Sequence, residues 1–213
     1  MLEAHTKIID FIRSLYPGIH PVPLHAPVFL GNEKKYLEDC INTTFVSYVG
    51  KYVTQFEEQI ATFTGARYAV AMMNGTTALQ IALQLAGVER GNEVITQALS
   101  FVATANAISH AGGIPVFIDV DTDTLGMSPE KLRVWLELNS KIDEKTGQCI
   151  NKTSGNTISA IIPMHTFGHP CRIVEIIEVA DEYGIQVIED AAESLGSYYR
   201  GKHTGTFGLL GIL

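Results

Sequence analysis

Apolar positions at Leu2, Ile8, Ile9, Phe11, Ile12 and Leu15 recur at roughly helical spacing between Met1 and Tyr16, and Pro17-Gly18 ends the run. The spacing predicts an amphipathic N-terminal arm. Pro21, Pro23 and Pro27 make the next stretch, to Leu30, extended and irregular. Helical spacing returns over Asn32 to Asn42 and Val53 to Thr64, with Gly65 as a stop. Beyond Gly65 short apolar runs alternate with helical patterns. Strands are predicted at Tyr68 to Met73, Glu93 to Thr96, Pro115 to Val120, Ile158 to Met164 and Ile185 to Glu189. Between them fall helices at Thr76 to Ala86, Ala103 to His110, Ser128 to Leu138 and Arg172 to Tyr183. Ser128 is the expected N-cap and Pro129 the first helical residue of the third of these. The polar stretch Asn139 to Asn156 reads as a surface loop, Arg200-Gly201-Lys202 as a hairpin turn, and GLLGIL as the start of a strand. Strands alternating with helices predict an α/β fold with a mostly parallel central sheet. The arm and extended segment occupy residues 1–30, and a large domain occupies residues 31–213.

Composition narrows this picture. The chain has 213 residues, 46% hydrophobic and 18% charged, enough apolar content for a sizeable buried core. Without a long apolar run or a basic-then-apolar leader pattern, the expected compartment is the cytoplasm and no membrane partner is expected. A net charge of -8 argues against nucleic-acid binding, which depends on Lys and Arg clusters. The three cysteines, Cys40, Cys149 and Cys171, are odd in number and irregularly spaced, so they read as free thiols.

Four groups of residues can carry chemistry. Asn74-Gly75-Thr76-Thr77 follows a predicted strand and opens a helix, a junction whose free N–H groups and hydroxyls suit a phosphate, although a plain capped glycine turn gives the same pattern. Glu189-Asp190-Ala191-Ala192-Glu193 sets carboxylates at the C-terminal end of a strand, the edge where open α/β sheets bind ligands. Asp190 there could pair with a protonated ring nitrogen, or cap the next turn. Phe101, after another strand end, could stack on a flat heterocycle or fill the core. His165-Thr166-Phe167-Gly168-His169 follows a third strand. Gly168 and Pro170 disfavour the helix that would align both histidines on a metal, so His165 reads as lining a cofactor or substrate pocket. Neither a G-x-G-x-x-G turn nor a P-loop is present, and Gly205, Gly208 and Gly211 have the wrong spacing for either.

From about Pro23 onward the chain resembles the DegT/StrS family of sugar aminotransferases. The resemblance is carried by FVSYVGKYVTQFE, NGTTALQIAL, VITQALSFVATANAI, PVFIDVD, IIPMHTFGHP, VIEDAAESLGS and GTFG, in the family's order. FIRSLYP with VPLHAPVFLGNEKKYL is most similar to the branch that serves legionaminic-acid-type bacterial surface sugars. The resemblance implies the aspartate-aminotransferase-like (type I) fold, pyridoxal 5'-phosphate as cofactor, and a homodimer. It further implies a UDP-linked 4-keto-6-deoxy N-acetylhexosamine as substrate and glutamate as amino donor. By position it implies that Gly75, Thr76 and Thr77 hold the phosphate, Phe101 stacks on the ring, Asp190 meets the ring nitrogen and Glu193 lies near the ring hydroxyl. Ser47, Tyr48 and Lys51 match a substrate-side loop, where Lys51 reads equally as a solvated charge. In that family the lysine that holds the cofactor covalently follows the segment matching GTFGLLGIL. The chain to Leu213 is therefore expected to lack it, to be inactive alone and to leave apolar sheet surface uncovered. The resemblance also admits a sugar dehydratase of the same fold, with histidine for that lysine, and a nonenzymatic regulatory relative.

Overall fold

The computed structural model describes residues 2–23 and 26–213. Residue 1 of the arm and residues 24 and 25 of the VPLHAPVFLGNEKKYL stretch lie outside the described residues. The chain divides into two compact units, Met1–Tyr52 and Val53–Leu213, and the expected boundary at residue 30 falls inside the first. The first unit holds α1 (Leu2–Leu15) and α2 (Glu33–Thr43). The apolar stripe that predicts α1 is exposed along Ile8, Phe11 and Leu15. Helix α3 (Lys51–Thr64) begins at the end of this unit and stops at Gly65, whose φ of +76° suits glycine.

The second unit runs α4 (Gly75–Leu85), β1 (Glu93–Gln97), α5 (Val102–His110), β2 (Ile114–Ile118) and α6 (Pro129–Asn139). It continues through β3 (Ser140–Ile142), β4 (Cys149–Asn151), β5 (Ile158–Ile162), α7 (Ile173–Glu182) and β6 (Gln186–Asp190), then closes with β7 (Tyr198–Tyr199), β8 (Lys202–His203) and β9 (Leu210–Ile212). The main sheet is parallel throughout, in the order β2-β1-β5-β6-β9.

Strand alternation divides the core between the two faces of this sheet. Ile95, Ile161 and Val187 pack with Leu132 and Leu136 of α6 and Ile173 and Ile176 of α7. Their neighbours Val94, Ala160, Ile162 and Ile188 pack with Leu79 and Leu83 of α4 and Ala107 and Ile108 of α5. Helices cover both faces, which is why β1 is buried at every position.

Two expectations change. The segment Tyr68 to Met73 is not a strand: it pairs with none among the described residues, and Tyr68, Val70 and Met73 are 75%, 74% and 84% exposed. Alternating apolar side chains favour extended backbone, but only a neighbouring strand makes a ladder. The polar stretch Asn139 to Asn156 is not simply a loop, because it folds into the antiparallel pair β3 and β4. Its far end is tied to the sheet where Asn151 Nδ2 donates to Glu93 Oε2 at 2.7 Å and Ser154 Oγ donates to Glu93 Oε1 at 2.5 Å. The turn Arg200-Gly201 joins β7 to β8 with φ of 48° and 81°, the conformation of a tight two-residue hairpin. Ser128 caps α6 through Lys131 N at 3.3 Å, with Pro129 at the first helical position.

Candidate functional site

The strand order places a topological switch between β1 and β5. The chain leaves β1 for β2 on one side and returns to β5 on the other, so the loops after these two strands diverge and open a crevice. Phe101 follows β1, Met164 follows β5 and Asp190 ends β6. These residues line one cavity of about 270 Å³ with Gly75 and Thr76 of α4 and with Glu193.

One wall is a helix N-terminus. Asn74 is extended, and its side-chain Oδ1 accepts from Thr77 N at 2.8 Å. Gly75 and Thr76 keep N–H groups with no intrahelical partner, at the positive end of the helix dipole. Thr77 sits at the same turn. Its amide is taken by the Asn74 cap, and it is not among the residues lining the cavity.

Phe101 is not a core residue. It occupies the N-cap position of α5 and is 62% exposed, and its N–H donates to Met164 Sδ at 3.3 Å. The backbone is thus anchored while the ring face stays free to stack.

At the end of β6 two adjacent carboxylates point to opposite faces of the sheet. Asp190 is 3% exposed, and its Oδ2 accepts from Thr104 Oγ1 at 2.5 Å. Burial raises its pKa above the usual aspartate value, outweighing the hydrogen bonds from Thr104 and Ala192. Glu189 is fully buried. Burial again opposes its charge, but His165 and the backbone N–H groups of Gly208 and Gly205 outweigh it and hold the pKa below the usual range. Its Oε2 lies 3.0 Å from His165 Nε2 and 2.8 Å from Gly205 N, and its Oε1 accepts from Phe207 N at 2.6 Å and Gly208 N at 2.8 Å. The glycines of that tail serve close packing. A Cβ at Gly208 would lie 2.5 Å from Val187 O, and one at Gly211 would lie 1.9 Å from Gly205 O.

His165 is likewise a correction. Rather than lining the pocket, it is fully buried, with Nε2 on Glu189 and Nδ1 accepting from Cys171 N at 3.2 Å. Glu193 does line the cavity, and its Oε2 accepts from Phe167 N at 2.7 Å, steadying a residue in the left-handed region at φ 54°. Ser47, Tyr48 and Lys51 belong to the first unit. There Tyr48 is 86% exposed, and Lys51 Nζ lies 2.6 Å from Asp39 Oδ2.

Sequence reasoning missed two polar residues that shape the site. Gln97, fully buried at the end of β1, accepts from Met127 N and Met164 N and donates to Leu99 O and Thr166 Oγ1. It thereby ties together the loops that leave β1 and β5. Thr104, also fully buried, carries the hydrogen bond to Asp190. Gln97 left only a weak signal in the sequence, an amide at the end of the strand EVITQ. Thr104 left none, since one threonine in an alanine-rich helix is unremarkable.

A doubly covered parallel sheet whose switch point joins a free helix N-terminus, an exposed aromatic ring and a buried carboxylate defines a protein built to hold a small, flat, anionic ligand. The chain belongs to the DegT/DnrJ/EryC1/StrS aminotransferase family, matched over residues 30–213. It is 37% identical over 187 residues to a GDP-perosamine synthase of Escherichia coli O157:H7, covering 88% of this chain and 46% of that protein. An aminotransferase from Psychrobacter cryohalolentis superimposes with a TM-score of 0.75 at 31% identity, over 89% of this chain and 44% of the other. An E. coli GDP-4-keto-6-deoxy-D-mannose-3-dehydratase solved with hydrated pyridoxal phosphate gives 0.71 at 26% identity, over 88% and 45%. The chain thus spans about half the length of these relatives. Among the described residues, no helix is long and apolar enough to cross a membrane.

Proposed function

We propose that this chain forms the cofactor-binding front half of a pyridoxal-phosphate-dependent nucleotide-sugar aminotransferase. One observation carries the reading: the free N–H groups of Gly75 and Thr76, the exposed Phe101 ring and the buried Asp190 carboxylate surround a single cavity. At about 270 Å³ the cavity lies just below the roughly 300–1,000 Å³ range of ligand pockets, a size for one substituted ring with a phosphate arm rather than for a larger ligand. Pyridoxal 5'-phosphate, when bound, supplies the electron sink for moving an amino group. Gly75 and Thr76 would hold its phosphate, with Thr77 contributing through the cap that shapes this turn. Phe101 would cover one ring face, Glu193 would lie toward the ring hydroxyl, and Asp190 would hold the proton on the ring nitrogen. Burial strengthens that last contact, because a carboxylate removed from water binds a cationic N–H more tightly than an exposed one.

For substrate and assembly the proposal goes beyond the family match. We take a UDP-linked 4-keto-6-deoxy N-acetylhexosamine as acceptor and glutamate as donor, in bacterial surface-sugar synthesis of the legionaminic-acid type. Ser47, Tyr48 and Lys51 contribute on the sugar side, His165 acts only by bracing Glu189, and the working form is a cytoplasmic homodimer. The match to a perosamine synthase makes GDP-linked sugars the competitor to test.

Titration of the chain with pyridoxamine 5'-phosphate, followed by ligand fluorescence, tests the cofactor reading. Asp190→Ala is expected to weaken binding at least tenfold, the scale of a lost charge-assisted hydrogen bond. Absence of binding by the unaltered chain, or binding indifferent to Asp190→Ala, overturns the reading. The structural match to a dehydratase supports the alternative that the sequence resemblance also admits.

A further inference from the structure

An aspartate side chain rotates easily about its last torsion, so a carboxylate meant to meet one ligand atom needs a second anchor. In Asp190 the two oxygens are not equivalent. Oδ2 accepts from Thr104 Oγ1 at 2.5 Å, whereas Oδ1 has only a 3.4 Å contact from Ala192 N. Thr104 is itself held: Ser100 Oγ, which also lies 3.4 Å from Phe101 O and 3.5 Å from Met164 Sδ, makes its shortest contact by donating to Thr104 Oγ1 at 3.0 Å. A hydroxyl carries a single proton, and Ser100 occupies an acceptor position on it, so the Thr104 proton is directed at Asp190. Ser100 lies just past β1, Thr104 is inside α5 and Asp190 ends β6, so the chain of hydroxyls crosses the switch point. The same short stretch holds Phe101, whose N–H is fixed on Met164 Sδ at 3.3 Å.

We propose that Thr104 is a positioning residue for the cofactor site. Through the Ser100–Thr104–Asp190 relay it anchors Oδ2, fixes the plane of the carboxylate and leaves Oδ1 to accept from a protonated heterocyclic nitrogen. The proposal rests on the cofactor reading above. Residues 100–104 then act as one unit, setting the ring face through Phe101 and the ring-nitrogen partner through Thr104. The titratable groups facing Asp190 are His165 and Glu193, and the Glu193 carboxylate opposes its charge. Neither is altered in the test variants.

The test compares Thr104→Val, which keeps the shape and removes the hydroxyl, with Thr104→Ser, which keeps the hydroxyl. Each chain is titrated with pyridoxamine 5'-phosphate labelled with ¹⁵N in the ring. Affinity and the pH at which the ring nitrogen loses its proton are read together. Thr104→Val is expected to weaken binding about tenfold, while Thr104→Ser stays within about threefold of the unaltered chain. In Thr104→Val the ring nitrogen loses its proton at lower pH, and a ¹³C titration of the ligand-free chain finds the Asp190 carboxyl protonating at higher pH. A merely structural role would lower thermal stability without moving either titration. Equal affinity and unchanged titrations in Thr104→Val overturn the proposal, and so does a Thr104→Ser variant as impaired as Thr104→Val. Should Thr104→Val not fold, Ser100→Ala carries the same expectation at about threefold, and its silence overturns the proposal. If the unaltered chain binds and Asp190→Ala abolishes binding while Thr104→Val changes nothing, only this inference fails. If the unaltered chain does not bind, both fail.

Discussion

Glu189 and Asp190 are chain neighbours at the end of one strand, yet their surroundings could hardly differ more. Glu189 faces a closed side where three backbone N–H groups and His165 occupy both its oxygens. Asp190 faces a cavity and has one strong partner, Thr104. Burial acts against both charges, but only on the closed side do hydrogen bonds outweigh it, so the two pKa values move in opposite directions. A saturated buried carboxylate is part of the scaffold. One left under-satisfied at a cavity is poised for a ligand.

The largest expected effect lies on the closed side. Glu189→Ala would leave three half-buried N–H groups and the buried His165 without their acceptor, and a loss of about 3 kcal/mol is expected, measurable by urea unfolding. A loss under about 1 kcal/mol would mean that the closed side is not scaffold. The pH dependence carries the same signature. Because the folded-state pKa of Glu189 is depressed, its contribution is complete above the unfolded value of about 4.3 and disappears as pH falls through the folded value. Glu189→Gln should therefore flatten the acid limb of the stability profile.

On the open side the effects belong to the ligand. Phe101→Ala should weaken pyridoxamine 5'-phosphate binding about 3–10-fold, from the roughly 0.5–1.5 kcal/mol of a ring contact, with no change in melting temperature because the ring is already exposed. Asn74→Ala should cost about 1 kcal/mol of stability through the lost cap on Thr77, together with weaker phosphate binding as the turn frays. Differential scanning calorimetry with and without ligand separates those two losses. The smallest effect has the opposite sign. Asp190 has a raised folded-state pKa, so at pH 7 its buried charge counts against folding. Asp190→Asn should leave the ligand-free chain slightly more stable at pH 7, with the gain vanishing below the unfolded value of about 3.9. A clear destabilisation would erase the contrast between the two carboxylates.

Much of this arrangement was legible in the residues, element by element. The alternation of apolar runs with helical spacing located β1, β2, β5, β6 and the helices between them, and Ser128-Pro129 marked the start of α6 to the residue. Gly75, Thr76, Phe101, Asp190 and Glu193 were all recognisable as candidates and do meet around one cavity. The failures share a cause. Tyr68 to Met73 alternates as a strand does but pairs with none among the described residues. His165 looked like a pocket residue because its loop leaves the right sheet edge, but a loop's position does not say which way a ring turns. At Thr77 the residues did not show that the amide would serve the Asn74 cap.

Local chemistry in the chain was sufficient to determine where helices begin and strands run, because caps, prolines, glycines and apolar periods act over a few residues. It also determined the family, because several motifs in a fixed order leave little room for coincidence. Only the tertiary structure decided which of two adjacent carboxylates faces the ligand, that His165 serves Glu189, and that Thr104 reaches Asp190 across 86 positions of sequence. Those outcomes depend on strand register and on which buried groups find partners, and both are set when distant segments pack together.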